Sequence, residues 1–591
     1  MDAAREACLD TRPAKPHTPE TTQRERWHAR ALEAGFDPAS LLLPGPAEPP
    51  AVDPDRLVAD LISANGLTAK RSTFDPRDVL QGVCEALPGG THVDLETLLD
   101  LGRTVVRHSD TVPLLRGPLA GERTYSTAEM LAAEACALEL VAAQRTAGLA
   151  VVEEDLIHEV LDQDTLTVEQ HELVRRLLTS SAGVDVVVGP AGAGKTRALR
   201  AARQAWQEAG HTVLGTSLAA VAARELQNGS GIPSTSLARF LSDLRRVELP
   251  QRTVIVVDEA SMIGTRQLLE LLQTSAQQHA KVVLVGDPCQ LSEIEAGGLF
   301  ASLAGSEHAL QLSTNQRQAE PWEREALASL RDGDPSRALD AYADHDRVRL
   351  AADRNLLLDR LTADYLLARS EATDQDVLVL AVRNSDVRAV NDAIRSQLRV
   401  HGVLGDAEIQ VGSEERARAY AAGDDVVITR NDYRREVFNG TRARVTALDT
   451  RTGELTLATR EGQQTTVPAA WAADRLDHAY AMTCHRAQGI TVDVALLYGT
   501  AALSREAAYV AMSRGREANY VYATHEELRG YDECGLDEHD HDPEKATILA
   551  AQALGDAVNR SRRQRLAHDY APAGRLGDRE HAPGHVMSRA G

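Results

Sequence analysis

Val184 to Arg197, VDVVVGPAGAGKTR, constrains this chain more than any other stretch. A short β-branched run leads into Gly189-Pro190-Ala191-Gly192-Ala193-Gly194-Lys195-Thr196, the full G-x-x-x-x-G-K-[ST] pattern, and a helical run follows. Such a loop points backbone N–H groups and a helix N-terminus at phosphate oxygens. Gly189, Gly192 and Gly194 allow the tight turn, Lys195 reaches the β/γ-phosphates and the Thr196 hydroxyl can ligate Mg²⁺. Residues 189–196 and Arg197 are therefore candidate nucleotide-binding residues, with ATP and Mg²⁺ as the expected cofactors.

The runs around this loop set the fold class. VDVVVG, HTVLGTS, RTVIVVDE and KVVLVGD are short, β-branched and apolar enough to be buried on both faces, and helical patterns separate them. That alternation predicts βαβ units and a parallel sheet. DVLVLAVRNS, VDVALLYG and NYVYAT repeat the style further on and predict a second α/β unit. Between its halves, about 420–470, apolar and polar residues alternate around the turn signals Asn439-Gly440, Thr452-Gly453 and Glu461-Gly462, which predicts a small β-barrel-like insert.

The chain divides on this reading into a Pro-rich linker or truncated edge (1–55), a helical N-terminal domain (56–161), a first core (162–314), a second core in two parts (315–419 and 471–531) around the insert (420–470), and a largely disordered tail (532–591). A length of 591 residues suits several domains. The six cysteines show neither CxxC pairing nor metal-ligand spacing, so they read as reduced cytosolic thiols. No long apolar run or signal peptide is present, and the expected location is cytoplasmic, without membrane insertion. A net charge of -23 argues against coating nucleic acid by bulk attraction but leaves room for a local groove.

Chemistry clusters at strand ends. Asp258, closing RTVIVVD, can hold Mg²⁺ through its water shell, and Glu259 can polarise an attacking water. Gln290, after Gly286-Asp287-Pro288, can sense a γ-phosphate. Gln170, at the start of the helix that opens the first core, has the donor and acceptor needed to read an adenine edge. Thr216, Ser217 and Thr235 offer hydroxyls that suit either a nucleic-acid backbone or a helix cap. Arg317 in STNQRQ and Arg514 in AYVAMSRGRE can neutralise charge on a transferring phosphate across a cleft. Thr483, His485 and Gln488 in HAYAMTCHRAQGITVD form a polar loop that fits backbone contact and coupling.

Taken together, GPAGAGKT, VVDEASM, GDPCQLSEIEAGG, NQRQ, YAMTCHRAQGITVD and YVAMSRGRE resemble the ordered helicase motifs of superfamily 1. Within it, they resemble the RecD-like branch found in the C-terminal portion of conjugative relaxases of the TraA, TraI and TrwC type. The resemblance covers roughly 55–530. It implies two RecA-like P-loop NTPase cores, the second interrupted by an SH3-like insert. It assigns Gln170 to adenine, Lys195 and Thr196 to phosphate and Mg²⁺, and Asp258 and Glu259 to Mg²⁺ and water activation. Gln290 becomes the γ-phosphate sensor, Arg317 and Arg514 the arginine fingers, and Thr483, His485 and Gln488 the DNA-proximal coupling motif.

The implied activity is ATP-dependent 5′-to-3′ unwinding or translocation on single-stranded DNA in conjugative transfer. The partners would be that DNA and a relaxase or conjugation-complex proteins. The oligomeric state stays open, a monomer being compatible. Alternatives are an ATPase that remodels DNA or RNA without processive unwinding, or a non-catalytic conjugation scaffold. Nothing in residues 1–110 matches the relaxase nicking domain: Tyr is absent before Tyr125, and His17, His28, His92 and His108 are isolated. Cleavage at a transfer origin is therefore not expected. Gln316 stands where the family often has a second Arg.

Overall fold

The computed structural model describes Ala29 and residues 52–571, apart from 88–92, 116–122, 163–164, 352, 372–374, 413–416, 525–527 and 529–542. The expectations for the remaining N-terminal residues and for 572–591 lie outside the described residues. Three helices, Pro54–Ile62, Pro76–Ala86 and Leu95–Arg107, begin the described chain, each with an aspartate (Asp53, Asp75, Asp94) accepting first-turn N–H groups. They enclose Leu57, Leu61, Val79, Val83 and Val105 with Phe74 and Tyr125. A short antiparallel pair, β1 (Thr111–Pro113) and β2 (Tyr125–Thr127), leads into the helix Ala128–Ala143, where Thr127 is the N-cap.

The β-branched runs beside the glycine loop become strands of one six-stranded sheet. In chain order these are β3 (Val184–Val188), β4 (Thr212–Ser217), β5 (Ser234–Ser236), β6 (Thr253–Asp258), β7 (Lys281–Gly286) and β8 (Leu310–Gln311), arranged β5-β4-β6-β7-β3-β8. Every pairing is parallel. Val254, Val256, Val283 and Val285 pack under one set of helices, while Ile255, Val257, Val282 and Leu284 pack under the other. Burial on both faces explains why these strands read as unbroken apolar runs. Parallel strands place their C-terminal ends on one side, so the loops after β3, β6 and β7 meet there.

A second parallel sheet, of five strands, is built from β9 (Val348–Ala351), β10 (Val377–Ala381), β18 (Ala481–Thr483), β19 (Val492–Gly499) and β20 (Gly515–Thr524), in the order β18-β10-β19-β20-β9. The two parallel sheets with their helices form an α/β fold consistent with RecA-like P-loop cores. The second sheet is interrupted between β10 and β18. There β11 (Glu408–Val411) pairs with β12 (Arg418–Ala421), and β13 (Asp425–Ile428), β14 (Arg442–Asp449), β15 (Glu454–Thr459), β16 (Gln464–Pro468) and β17 (Leu476–His478) form an antiparallel sheet.

The antiparallel unit runs beyond the expected limit of 470. It closes only at His478, because β13 needs β17 as its second neighbour, and Tyr420, fully buried, donates its hydroxyl to the Leu476 carbonyl at 2.9 Å.

Within the expected C-terminal tail, the part up to Arg565, which also reads as helical, does hold a helix. Pro543–Asn559 is a helix whose Leu554, Ala557 and Val558 join the core of the second unit. The chain then crosses to the first unit, where Leu566 is fully buried beside Leu299, Phe300 and Leu303. The Ala567 and His568 N–H groups donate to the Glu134 carboxylate at 3.0 and 2.7 Å. A single leucine in a polar run is too weak a pattern to signal docking, and its partners lie far away in sequence.

Candidate nucleotide and nucleic-acid cleft

The glycine loop sits where β3 ends and the helix Lys195–Glu208 begins. Gly192 and Gly194 adopt φ of 80° and 77°, a region costly for other residues. Space forbids side chains there as well. A Cβ on Gly192 would lie 2.4 Å from Arg317 Cβ, and one on Gly194 would lie 2.2 Å from Gln170 Nε2. Lys195 turns its ammonium onto the loop's own carbonyls, Gly189 O at 2.8 Å and Pro190 O at 3.3 Å. Ala191 and Ala193 are buried, and Arg197 reaches out to Thr165 Oγ1 at 2.7 Å.

Gln170, expected to read an adenine edge, lies against the loop itself. It is buried, its Nε2 donates to Ala193 O at 3.1 Å, and its Oε1 accepts the Thr167 N–H at 3.2 Å in a reciprocal cap. Both ends of the amide are engaged, so in this structure Gln170 braces the loop.

Asp258 ends β6 and accepts the Glu259 N–H at 3.0 Å. Glu259 itself has φ 51° and ψ 40°, a left-handed conformation unusual for a residue with a Cβ. Burial, reinforced by the neighbouring Glu259 carboxylate, pushes Asp258 up to about 6, while Lys195 opposes the shift. Gln290 lies just past β7, buried, with no hydrogen-bond partner for its Oε1 among the described residues. The Ser261 hydroxyl, lining the same small cavity, also lacks one.

The second unit closes onto this surface. Gln488 points Nε2 at Glu259 Oε2, 3.4 Å away, and its own Oε1 has no hydrogen-bond partner among the described residues. Arg317 lies against Gly192 and donates to Ser513 O at 2.9 Å; burial and the nearby Arg514 bring its guanidinium down to about 9. Arg514 is almost fully buried and donates to Val510 O, Ile490 O and Ser513 Oγ. Its bonds thus go to its own unit, although its charge interacts with Glu259. Arg317 therefore faces the loop, whereas Arg514 lines the wall behind it.

Two cleft residues escaped the sequence reading. Tyr509, buried in the helix Arg505–Met512, accepts the Ala191 N–H at 3.2 Å and donates to Asp287 Oδ2 at 2.9 Å. Asp287 is fully buried, and it also meets Arg331 at 3.4 Å and the Cys289 N–H at 3.1 Å. Burial and the adjacent Asp287 carboxylate raise the Tyr509 phenol well above its ordinary range. Nothing in the local pattern of its apolar helix singles out Tyr509, and only its proximity to the glycine loop marks it out.

The hydroxyl candidates are not brought together. Thr216 and Ser217 are fully buried in β4, which is flanked by β5 and β6, so neither is open to a strand of nucleic acid in this structure. Thr235 is half-buried in β5, and Thr483 Oγ1 accepts the Arg486 N–H in its own turn. His485 is exposed and lines a large cavity beside the cleft. Among the described residues, no helix is long and apolar enough to cross a membrane.

Residues 165–353 match the AAA domain family. Among curated proteins the chain is similar to the conjugal transfer protein TraA of Rhizobium radiobacter, with 32% identity over 476 residues that make up 79% of this chain and 42% of that protein. It is also similar to the ATP-dependent RecD2 DNA helicase of Deinococcus radiodurans, with 27% identity over 493 residues, 79% of this chain and 65% of that protein. The chain thus spans less than half the length of TraA. A solved structure of Bacteroides Pif1 bound to ssDNA aligns at 17% identity and a TM-score of 0.41, over 61% of this chain and 92% of that one, a likeness too slight to argue from. The curated likenesses are thus to conjugal transfer proteins and to a RecD2 DNA helicase.

Proposed function

We propose that this chain is an ATP-driven motor on single-stranded DNA, a RecD-like helicase or translocase with 5′-to-3′ polarity that serves conjugative transfer in the cytoplasm. One observation carries the reading: Arg317, Tyr509 and Gln488 meet the glycine loop and Glu259 from the second unit, in a single cleft between two parallel sheets. A phosphate bound there is sensed by both units at once. Closure then assembles the site, and opening follows release.

Lys195, Thr196 and Asp258 would hold the nucleotide phosphates and Mg²⁺, and the donor set suits them. One hydroxyl and one carboxylate leave the remaining Mg²⁺ positions to phosphate and water, which is this ion's habit. Gln290 and Gln488 each keep a buried amide oxygen without a partner, as expected of groups that await a ligand or an ordered water. When bound, Mg²⁺ neutralises phosphate charge. Glu259, next to Asp258, would orient and deprotonate the attacking water, and Arg317 would offset charge developing on the transferred phosphoryl group.

Duplexes with a 5′ or a 3′ single-stranded tail test the assignment. ATP-dependent unwinding from the 5′ tail alone, abolished by Lys195→Ala in a protein that remains folded, is the expected outcome. Unwinding only from 3′ tails contradicts the polarity, and ATP turnover that survives in Lys195→Ala contradicts the site.

A further inference from the structure

We propose that residues 561–566, together with Lys70 and Arg71, form a basic strap that binds the phosphate backbone of single-stranded DNA along a cavity beside the cleft, an inference that rests on the motor reading above. The cavity holds about 1170 Å³ and is bounded by the N-terminal helical unit, both α/β units and the C-terminal segment. It exceeds the roughly 300–1,000 Å³ of ordinary small-ligand sites, as a site for a length of polymer should.

The strap is fixed by its backbone and by uncharged or acidic groups, which leaves its cations unused. Ser561 Oγ and the Arg562 N–H donate to Glu506 in the second unit. Gln564 Nε2 donates to the Glu293 and Glu295 carbonyls in the first, and its Oε1 accepts the Gly297 N–H. Ser72 of the N-terminal unit donates to Arg565 O at 2.6 Å. The segment therefore bridges the two α/β units and touches the N-terminal unit. Meanwhile Lys70, Arg71, Arg562, Arg563 and Arg565 line the cavity with exposed side chains that make no hydrogen bond or ion pair to a described residue.

The acidic residues on the same wall are already occupied. Glu506 accepts from the strap, Asp75 and Asp78 cap their helix reciprocally, and Glu293 accepts the Gly298 N–H and is pushed up to about 7 by burial, against the opposing field of Arg563. In a chain of net charge -23, unpaired cations gathered on one concavity focus an attractive field for an anionic polymer. His485 opens onto the same cavity, and Ile294, 64% exposed there, offers an apolar surface to a base. Phosphate contact along one side and base contact on the other is what a single strand requires.

The test is binding of a fluorescent oligo-dT to the full chain by anisotropy, between 50 and 200 mM KCl. R562A/R563A/R565A removes three cations while leaving every backbone bond of the strap and Gln564 in place, so its melting curve should match the parent's. Each lost phosphate contact on a single strand flattens the log K versus log salt slope by about 0.7, so the variant's slope should fall by roughly 2. R562K/R563K/R565K keeps the charges and should restore the slope. An unchanged slope in the alanine variant, or no rescue by lysine, overturns the strap. Failure of the unsubstituted protein to bind oligo-dT at any salt overturns the motor reading itself, and the strap with it.

Discussion

Tyr509→Phe removes one oxygen from the cleft and leaves the ring that fills it. In the structure that oxygen is the acceptor for the Ala191 N–H, 3.2 Å away, and both residues are buried. Without it the N–H has no partner while the loop is empty, and an orphaned buried donor costs about 1–3 kcal/mol. A phosphate oxygen entering the loop supplies a new acceptor, so the penalty falls on the empty state alone. Asp287 Oδ2 also loses its donor, since Arg331 and the Cys289 N–H bond Oδ1, but that cost falls equally on the empty and the loaded states and cancels from the affinity. Taking about 1–2 kcal/mol for the difference, nucleotide affinity should tighten roughly 5- to 30-fold. Equilibrium titration of both proteins with a fluorescent, non-hydrolysable ATP analogue at one salt concentration measures it. An unchanged or weaker Kd refutes the argument, because it means that the hydroxyl does not compete with phosphate for the loop.

Two further outcomes follow from charges buried in the first unit. Lys281, fully buried, pairs with Asp185 at 2.6 Å and donates to the Ser180 and Ala182 carbonyls. Lys281→Met should destabilise this unit by about 3–5 kcal/mol, because it strands the Asp185 carboxylate, and Asp185→Leu in the same chain should recover most of the loss. Chemical denaturation checks this, and a single-variant loss below about 1 kcal/mol contradicts the pairing. Asp258, held up to about 6 by burial and Glu259, is protonated below that pH and there lacks the charge its proposed role needs. The kcat/KM for ATP hydrolysis should therefore fall about tenfold per pH unit below about 6 and level off above it. A flat profile from pH 5 to 7 counts against Asp258 as the titrating group.

Local pattern carried much of the architecture. The runs VDVVV, TVIVVD and KVVLVG could satisfy their backbones and bury both faces only in a parallel sheet, and they do so as neighbouring strands. The glycine loop was legible for the same reason, since its spacing answers to backbone geometry within a few residues. The alternation about 420–470 likewise announced antiparallel strands, but not their closure by β17, because that pairing joins residues some fifty positions apart.

What depends on distant partners could not be read in this way. The contact of the Gln170 amide with Ala193 O was not legible, and Thr216 and Ser217 looked like loop hydroxyls until β5 and β6 enclosed β4. Nothing local singled out Tyr509, and residues 561–566 fell within the expected tail. By itself the sequence determined that this chain builds α/β units around a phosphate-type loop, because periodicity and loop spacing are local properties. Only the tertiary structure decided which side chains face that loop, and that a C-terminal strap ties the two units together, because burial and hydrogen-bond satisfaction are settled between residues hundreds of positions apart.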